Sequence, residues 1–383
     1  MSERSAYITQ AAAFLPNAPV PNDAMESVLG TIGGRPSRAR PIILARNGIV
    51  TRHYAIDPRT GAPTHTNAQL AAEAVRRLEG PGFSLAQLDC LAASTSIADQ
   101  LLPSHATMVH GELGSPACEV VATSAVCICG VSALKYAYMG VLAGLFRHAV
   151  ASGSEAASSL LRSAIYEPEH QARVAALQQS PEIAFEKDFL RWMLSDGAGA
   201  LLVEPEPRAG GVSLRIEWIE IFSYANERPA CMYAGAEKRP DGTLRGWMWA
   251  SPEERASGSV MALKQDVRLL NDNIMYYTVE RGLADLKMRR PIFPDQIDHF
   301  LPHYSSGFFR DRVHESMKKV SFDVPQARWF TNLATKGNTG SAALYVMLEE
   351  LFHSGRLRPG EKILCYVPES GRFSVAYVLL TVV

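Results

Sequence analysis

Two stretches of this chain carry the same succession of features, and that repetition limits the folds open to it more than any other property. "SAVCICGVSALKYAYMGVLAGLF" leads into "HAVASGSE", and "GNTGSAALYVMLEELFHSG" leads into "KILCYVPESG". Each is a small-residue turn, a helix-length segment, an apolar strand and a tip rich in Ser, Glu and Gly. The repeat predicts two similar halves that aim two turns at a common centre.

The strand-like runs "LDCLAAST", "HAVASGSE", "GAGALLVEP" and "KILCYVPESG" are apolar throughout rather than alternating. Such runs between amphipathic helices predict α/β layers around a sheet covered on both faces. Asn67 is expected to cap the helix "AQLAAEAVRRL", and Gly355 with Pro359 to close the last long helix. The junction around "SDGAGALLVEPEPRAGG" divides the chain into halves 1–205 and 206–383, with 160–192 and the Trp-rich "GTLRGWMWASPEE" as insertions.

Composition excludes several classes. A formal charge of −1 creates no field for nucleic-acid binding. No apolar run is uninterrupted enough to span a bilayer. The start "MSERSAYITQAAAFLP" lacks the basic and apolar regions of a signal peptide, so a cytoplasmic location is expected. The six cysteines form neither a disulfide framework nor a paired zinc signature, so no metal is expected.

Three positions invite chemistry. Cys127 falls at a strand-to-helix turn, where unpaired N–H groups and the helix dipole are expected to lower a thiol pKa and favour the nucleophilic thiolate. Cys129 points elsewhere and reads as a small packed hydrophobe. His303 leaves an apolar strand just after Pro302, at the start of a Ser/Ser/Gly loop. His299, His105 and His110 read as structural. Asn338 sits between Gly337 and Gly340 in a tight turn, either as a helix cap or as part of a site. Glu155, at the tip of "ASGSE", is a candidate acid/base if partly buried and a solvated or capping carboxylate otherwise.

Taken together and in order, these residues resemble the thiolase-superfamily condensing enzymes, specifically the β-ketoacyl-acyl-carrier-protein synthase III-like ketosynthases. "SAVCICGVSAL" is similar to that family's "S-A-A-C-x-G-F-x-x-A-L", "GNTGSAAL" to "G-N-T-S-A-A-S", and "SDGAGALLVEP" to "G-D-G-A-G-A-x-V-L". The resemblance implies a thiolase-like αβαβα sandwich with Cys127 as nucleophile and His303 and Asn338 as its partners. "ARNGIVTRHY" resembles "R-T-G-I-x-x-R" and implies that Arg46 lies near the substrate entrance. The departures are Cys129 for a glycine, "HYSS" for "H-Q-A-N", and "PESGRFSVAY" for a glycine-rich loop. The second oxyanion donor is therefore placed only in the region of Gly371, beside the N–H of Cys127 itself.

Overall, the chain looks most like the ring-forming ketosynthases of dialkylresorcinol and stilbene biosynthesis. That resemblance implies a Claisen condensation followed by Michael addition to a cyclohexanedione, with Glu155 assisting closure. It implies no cofactor beyond coenzyme A or acyl-carrier-protein thioesters, and a homodimer paired through the strand before Cys127. An acidic carrier protein would dock on Arg310, Arg312, Lys318 and Lys319, which otherwise form a solvated helix face. The rivals are an ordinary synthase III of fatty-acid initiation, an ester-forming acyltransferase of the same fold, and a scaffold subunit. Retention of all three residues argues against the scaffold.

Overall fold

The structure is a computed structural model that describes residues 4–179 and 189–383, so part of the 160–192 insertion lies outside the described residues. Nine strands form its main sheet: β1 (Tyr7–Phe14), β2 (Cys90–Thr95), β3 (Glu119–Ser124), β4 (Ala149–Glu155), β5 (Gly197–Glu204), β6 (Leu214–Ser223), β7 (His299–Pro302), β8 (Lys362–Glu369) and β9 (Ser374–Val382). Their spatial order is β7-β8-β9-β6-β1-β5-β4-β2-β3.

The strand order repeats on either side of the β1–β6 contact. In the first half β3, β2 and β4 are parallel neighbours, then β5 and β1 follow antiparallel. In the second, a parallel bridge at Trp329 precedes β7, β7 runs parallel to β8, and β9 and β6 follow antiparallel. Within the sheet, the strands of the two halves pair through Tyr7 opposite Arg215 and Ile8 opposite Leu214.

Continuous apolar strands follow from helices on both faces. Along β9, Ala376, Val378, Leu380 and Val382 enter one core while Val375, Tyr377 and Leu379 enter another, the period of two that a strand imposes. The shared core holds helices α1 (Ile128–Ala143) and α2 (Ala343–Phe352), which pack between the strands of the two halves. The helices Asn67–Arg76 and His105–Leu113 cover the outside of the first half. Leu270, Ile274 and Leu283 cover the outside of the second. The result is the αβαβα sandwich expected.

One capping expectation is corrected. Thr66, not Asn67, caps the helix Asn67–Arg76, in a box in which the Thr66 hydroxyl accepts from Gln69 N and the Gln69 side chain accepts from Thr66 N. Asn67 is buried and donates instead to Thr95 Oγ1 at 2.8 Å and to Ile97 O. Gly355, with φ 69°, turns the chain just after α2.

Candidate active site

Cys127 stands at the N-cap of α1 with helical backbone angles, φ −67° and ψ −32°. Its side chain borders two cavities at once. The larger, about 730 Å³, is walled by Asn338, Glu155 and apolar side chains that include Leu160, Met193 and Leu263. The smaller, about 420 Å³, is walled by His303 together with Ile274, Phe309 and Val313. Ser305 and Ser370 also border both. Asn338 and His303, remote from Cys127 in the sequence, therefore each share a cavity wall with it.

Local structure explains each placement. His303 follows β7 directly, and its N–H donates to Tyr366 O at 2.8 Å, which continues the β7–β8 ladder to the site's edge. Its ring makes no hydrogen bond among the described residues. Burial pushes the imidazole pKa down to about 4, so at neutral pH it is uncharged, with one N–H to donate and one lone pair to accept.

Asn338 is held by its backbone: its N–H donates to Met193 O at 3.0 Å and its carbonyl accepts Ser195 N–H at 2.8 Å. Its Oδ1 accepts the N–H of Gly340 at 3.0 Å. Only an oxygen can accept that bond, so Nδ2 is the end left to donate. The cap reading is corrected: Thr339 and Ala342 hold the N-cap positions that follow. Asn338 instead braces the turn before α2 through Gly340 N, on the wall of the cavity that Cys127 also borders.

Small residues let the two central helices meet. A Cβ on Gly130 would fall 2.3 Å from Ser341 O, and Tyr345 Oη donates to Gly130 O at 2.7 Å. Cys129 is fully buried, makes an Sγ contact to Val126 O at 3.0 Å, and borders neither cavity.

The expectation of a lowered thiol pKa is corrected. In the free protein the Cys127 pKa lies well above its ordinary value, first because the thiol is buried, then because Glu369 and Glu155 oppose a second negative charge. A backbone hydrogen bond at Cys127 pulls the other way without offsetting these effects.

Glu155 is buried on the wall of the larger cavity. Its Oε1 accepts from Ser96 N at 3.0 Å, from the Ser96 hydroxyl and from Ser341 N at 3.1 Å, and Oε2 takes a longer bond from Thr95. Burial raises its pKa while Ser96 and Ser341 pull it down. A solvated surface carboxylate is not what this position holds.

The Gly371 region is a tight turn between β8 and β9. Gly371 O accepts Cys231 N–H at 2.9 Å and Met232 N–H at 3.3 Å, so a segment of the second half fixes the turn. Ser370 donates to Gln265 Oε1 at 3.2 Å. Gln265, Ser370 and Glu369 were not singled out from the sequence. "PESGRFS" is visible there only as a departure, and nothing in it shows where the Glu369 carboxyl folds.

The basic residues lie off both cavities. Arg46 is exposed on the helix Arg40–Asn47, whose end meets Gly307 in the loop after His303. Arg310 bonds Gln326 at 3.0 Å, Arg312 bonds Asn271 and lies over the Phe308 ring, Lys318 pairs with Glu315 and Lys319 with Glu280. All four side chains of the expected docking face are engaged locally. Among the described residues no group of three His, Cys, Asp or Glu could hold a metal, and no helix is long and apolar enough to cross a membrane.

Comparison with known proteins bears on the fold. Residues 289–379 match the family described as 3-oxoacyl-[acyl-carrier-protein] synthase III, C terminal. β-Ketoacyl-[acyl-carrier-protein] synthase III of Hyphomonas neptunium is 23% identical over 365 residues, 94% of each chain. That of Bordetella petrii is 25% identical over 360 residues, 94% of this chain and 93% of its own. Among solved structures, AbyA1, described as a tetronic acid condensing enzyme, superposes with a TM-score of 0.74 at 22% identity, over 98% of this chain and 99% of that one. A cysteine-to-serine variant of Xanthomonas campestris OleA, solved with lauric acid and lauroyl-CoA, gives 0.72 at 18% identity over 99% of both.

The fold is thiolase-like, shared with these solved structures, and residues 289–379 carry the match to the C-terminal region of the synthase III family.

Proposed function

We propose that this protein joins two acyl thioesters by a Claisen-type condensation through an acyl group held on Cys127, and closes the product to a 1,3-cyclohexanedione. The observation that carries the reading is that two adjoining cavities share Cys127, Ser305 and Ser370, one bordered by Asn338 and the other by His303. Cys127 attacks a thioester carbonyl and retains the acyl group. The N–H of Cys127 and the Gly371 turn receive the tetrahedral oxyanion. A β-ketoacyl thioester then loses its acidic C2 proton, with the His303 N–H and Asn338 Nδ2 stabilising the enolate oxygen. C2 attacks the Cys127-bound carbonyl, the carbon–sulfur bond breaks, and the proton lost from C2 is balanced by the one that ends on the released Cys127 thiol.

Closure by Michael addition needs an α,β-unsaturated acyl partner and a group to move a proton. Glu155, a buried carboxyl on the wall of the larger cavity, is proposed for that step. Substrates arrive as coenzyme A or carrier-protein thioesters. Arg46 marks the entrance face, and the carrier protein docks on the adjoining basic helix with Arg310, Arg312, Lys318 and Lys319.

The test is to supply a β-ketoacyl thioester with an enoyl thioester and identify products by mass spectrometry. A cyclohexanedione supports the reading. A linear β-ketoacyl product would make the protein an ordinary synthase III, and an ester would make it an acyltransferase of the same fold.

A further inference from the structure

The scheme above leaves unused a carboxyl group that sits against its nucleophile. Glu369 is the last residue of β8, and its side chain crosses to the start of α1. There Oε2 accepts the N–H of Val126 at 2.9 Å and that of Ile128 at 3.3 Å, the amides on either side of Cys127. Glu369 is 7% exposed, and its Oε1 makes no hydrogen bond among the described residues. The turn that follows is packed tightly around it. A Cβ on Gly371 would lie 3.2 Å from Glu369 Oε1 and 3.0 Å from Val126 Cγ2.

Amides at a helix N-terminus are the groups from which a thiolate draws its stabilisation. Here an anion of the chain itself already occupies two of them. We propose that Glu369 is a positioning residue that decides when Cys127 ionises: its charge, seated on the amides flanking the nucleophile, keeps Cys127 a thiol until that charge is neutralised. This rests on Cys127 being the nucleophile of the proposed reaction, although its test needs no thioester.

Three other groups face the sulfur. Glu155 approaches from β4, Cys129 belongs to α1 itself, and His303 stands across the smaller cavity. His303 is neutral and adds no charge. Glu155 is the only rival, and its carboxylate acts on the thiol less strongly than Glu369 does. It is also already satisfied by Ser96, Ser341 and Thr95. Burial raises the Glu369 pKa against the pull of the Ile128 and Val126 amides, so this carboxyl takes up a proton more readily than an exposed one. A neutral thiol is the less reactive form toward electrophiles and oxidants.

The experiment is the rate of Cys127 alkylation by iodoacetamide as a function of pH, read by peptide mass spectrometry on the full chain and on its Glu369→Gln and Glu155→Gln variants. The wild-type midpoint should lie above the value of about 8.5 for a free cysteine. Glu369→Gln keeps the shape and the amide contacts but loses the charge, and should lower the midpoint by about one pH unit, speeding alkylation at pH 7 about tenfold. Glu155→Gln should shift it less. A Glu369→Gln profile that overlays or lies above the wild type, or a larger shift in Glu155→Gln, overturns the proposal. So does a wild-type midpoint below about 7.5, which depends on no variant folding. Failure of the ketosynthase reading would show separately, as absence of an acyl adduct on Cys127 with the thioesters.

Discussion

Glu155 Oε1 accepts the backbone N–H of Ser341 at 3.1 Å, tying the strand that follows the nucleophile helix to the turn that carries Asn338. The same carboxyl presses on Gly340, where a Cβ would fall 2.8 Å from Glu155 Cγ, and Gly340 has φ +54°. Gly340→Ala therefore meets both strain and overlap and should destabilise the fold by about 1–3 kcal/mol. It should also cost condensation more than acyl loading, because the displaced group is Asn338 and not Cys127. Thermal melting and single-turnover assays on this variant check both halves.

Cys127 borders both cavities and Cys129 neither, so Cys127→Ala should end acyl-adduct formation, and Cys129→Ala should retain it. Peptide mapping after incubation with an acyl thioester decides between them. An adduct on Cys129 would refute the assignment.

His303→Ala and Asn338→Ala should still accept an acyl group on Cys127 yet release little condensed product. Loss of one preorganised donor to a developing oxyanion typically costs on the order of 10²–10³ in rate. Glu155→Gln should slow closure more than condensation and accumulate an uncyclised diketide. Normal turnover by Asn338→Ala would leave that residue only its bond to Gly340 N.

Burial lowers the pKa of both His303 and His105 to about 4. Their unfolded value is near 6.5, so the unfolded chain binds protons that the folded one refuses. Stability from this source is complete above pH 6.5 and falls as pH drops toward 4. Thermal melts across that window should decline less steeply for His303→Gln than for the wild type, and an unchanged slope would show that His303 is not buried as described.

β3 lies at the free edge of the sheet, and its residues are at least partly exposed. An unpaired edge of this length invites a second copy. Light scattering at micromolar concentration should give a dimer, and replacing Val121 with proline should weaken it. A monomeric wild type would remove this expectation.

The sequence discloses the frame because both faces of the sheet are covered: β4, β5 and β8 read as continuous apolar runs, and they are strands. The repeat is legible for the same reason, since each half must bury α1 or α2 in one shared core. Cys127, His303 and Asn338 announce themselves by small neighbours, a strand end and paired glycines. What stays hidden is long-range and polar. The Thr66 cap is misread as Asn67 because both residues are competent caps, and only the remote Thr95 and Ile97 claim the Asn67 side chain. The raised Cys127 pKa is illegible because it depends first on the burial of the thiol and then on Glu369, 242 positions away in the chain. The insertion at 160–192 falls partly outside the described residues.

The segment that buttresses Gly371 also supplies walls to the larger cavity. Met232 donates its amide to Gly371 O and lines that cavity, and Leu263, beside the short ladder that pairs Lys264 with Tyr233, lines it too. In the proposed reaction, substrate choice and reaction speed would both depend on this segment, so grafting it from a relative would carry over selectivity together with pace.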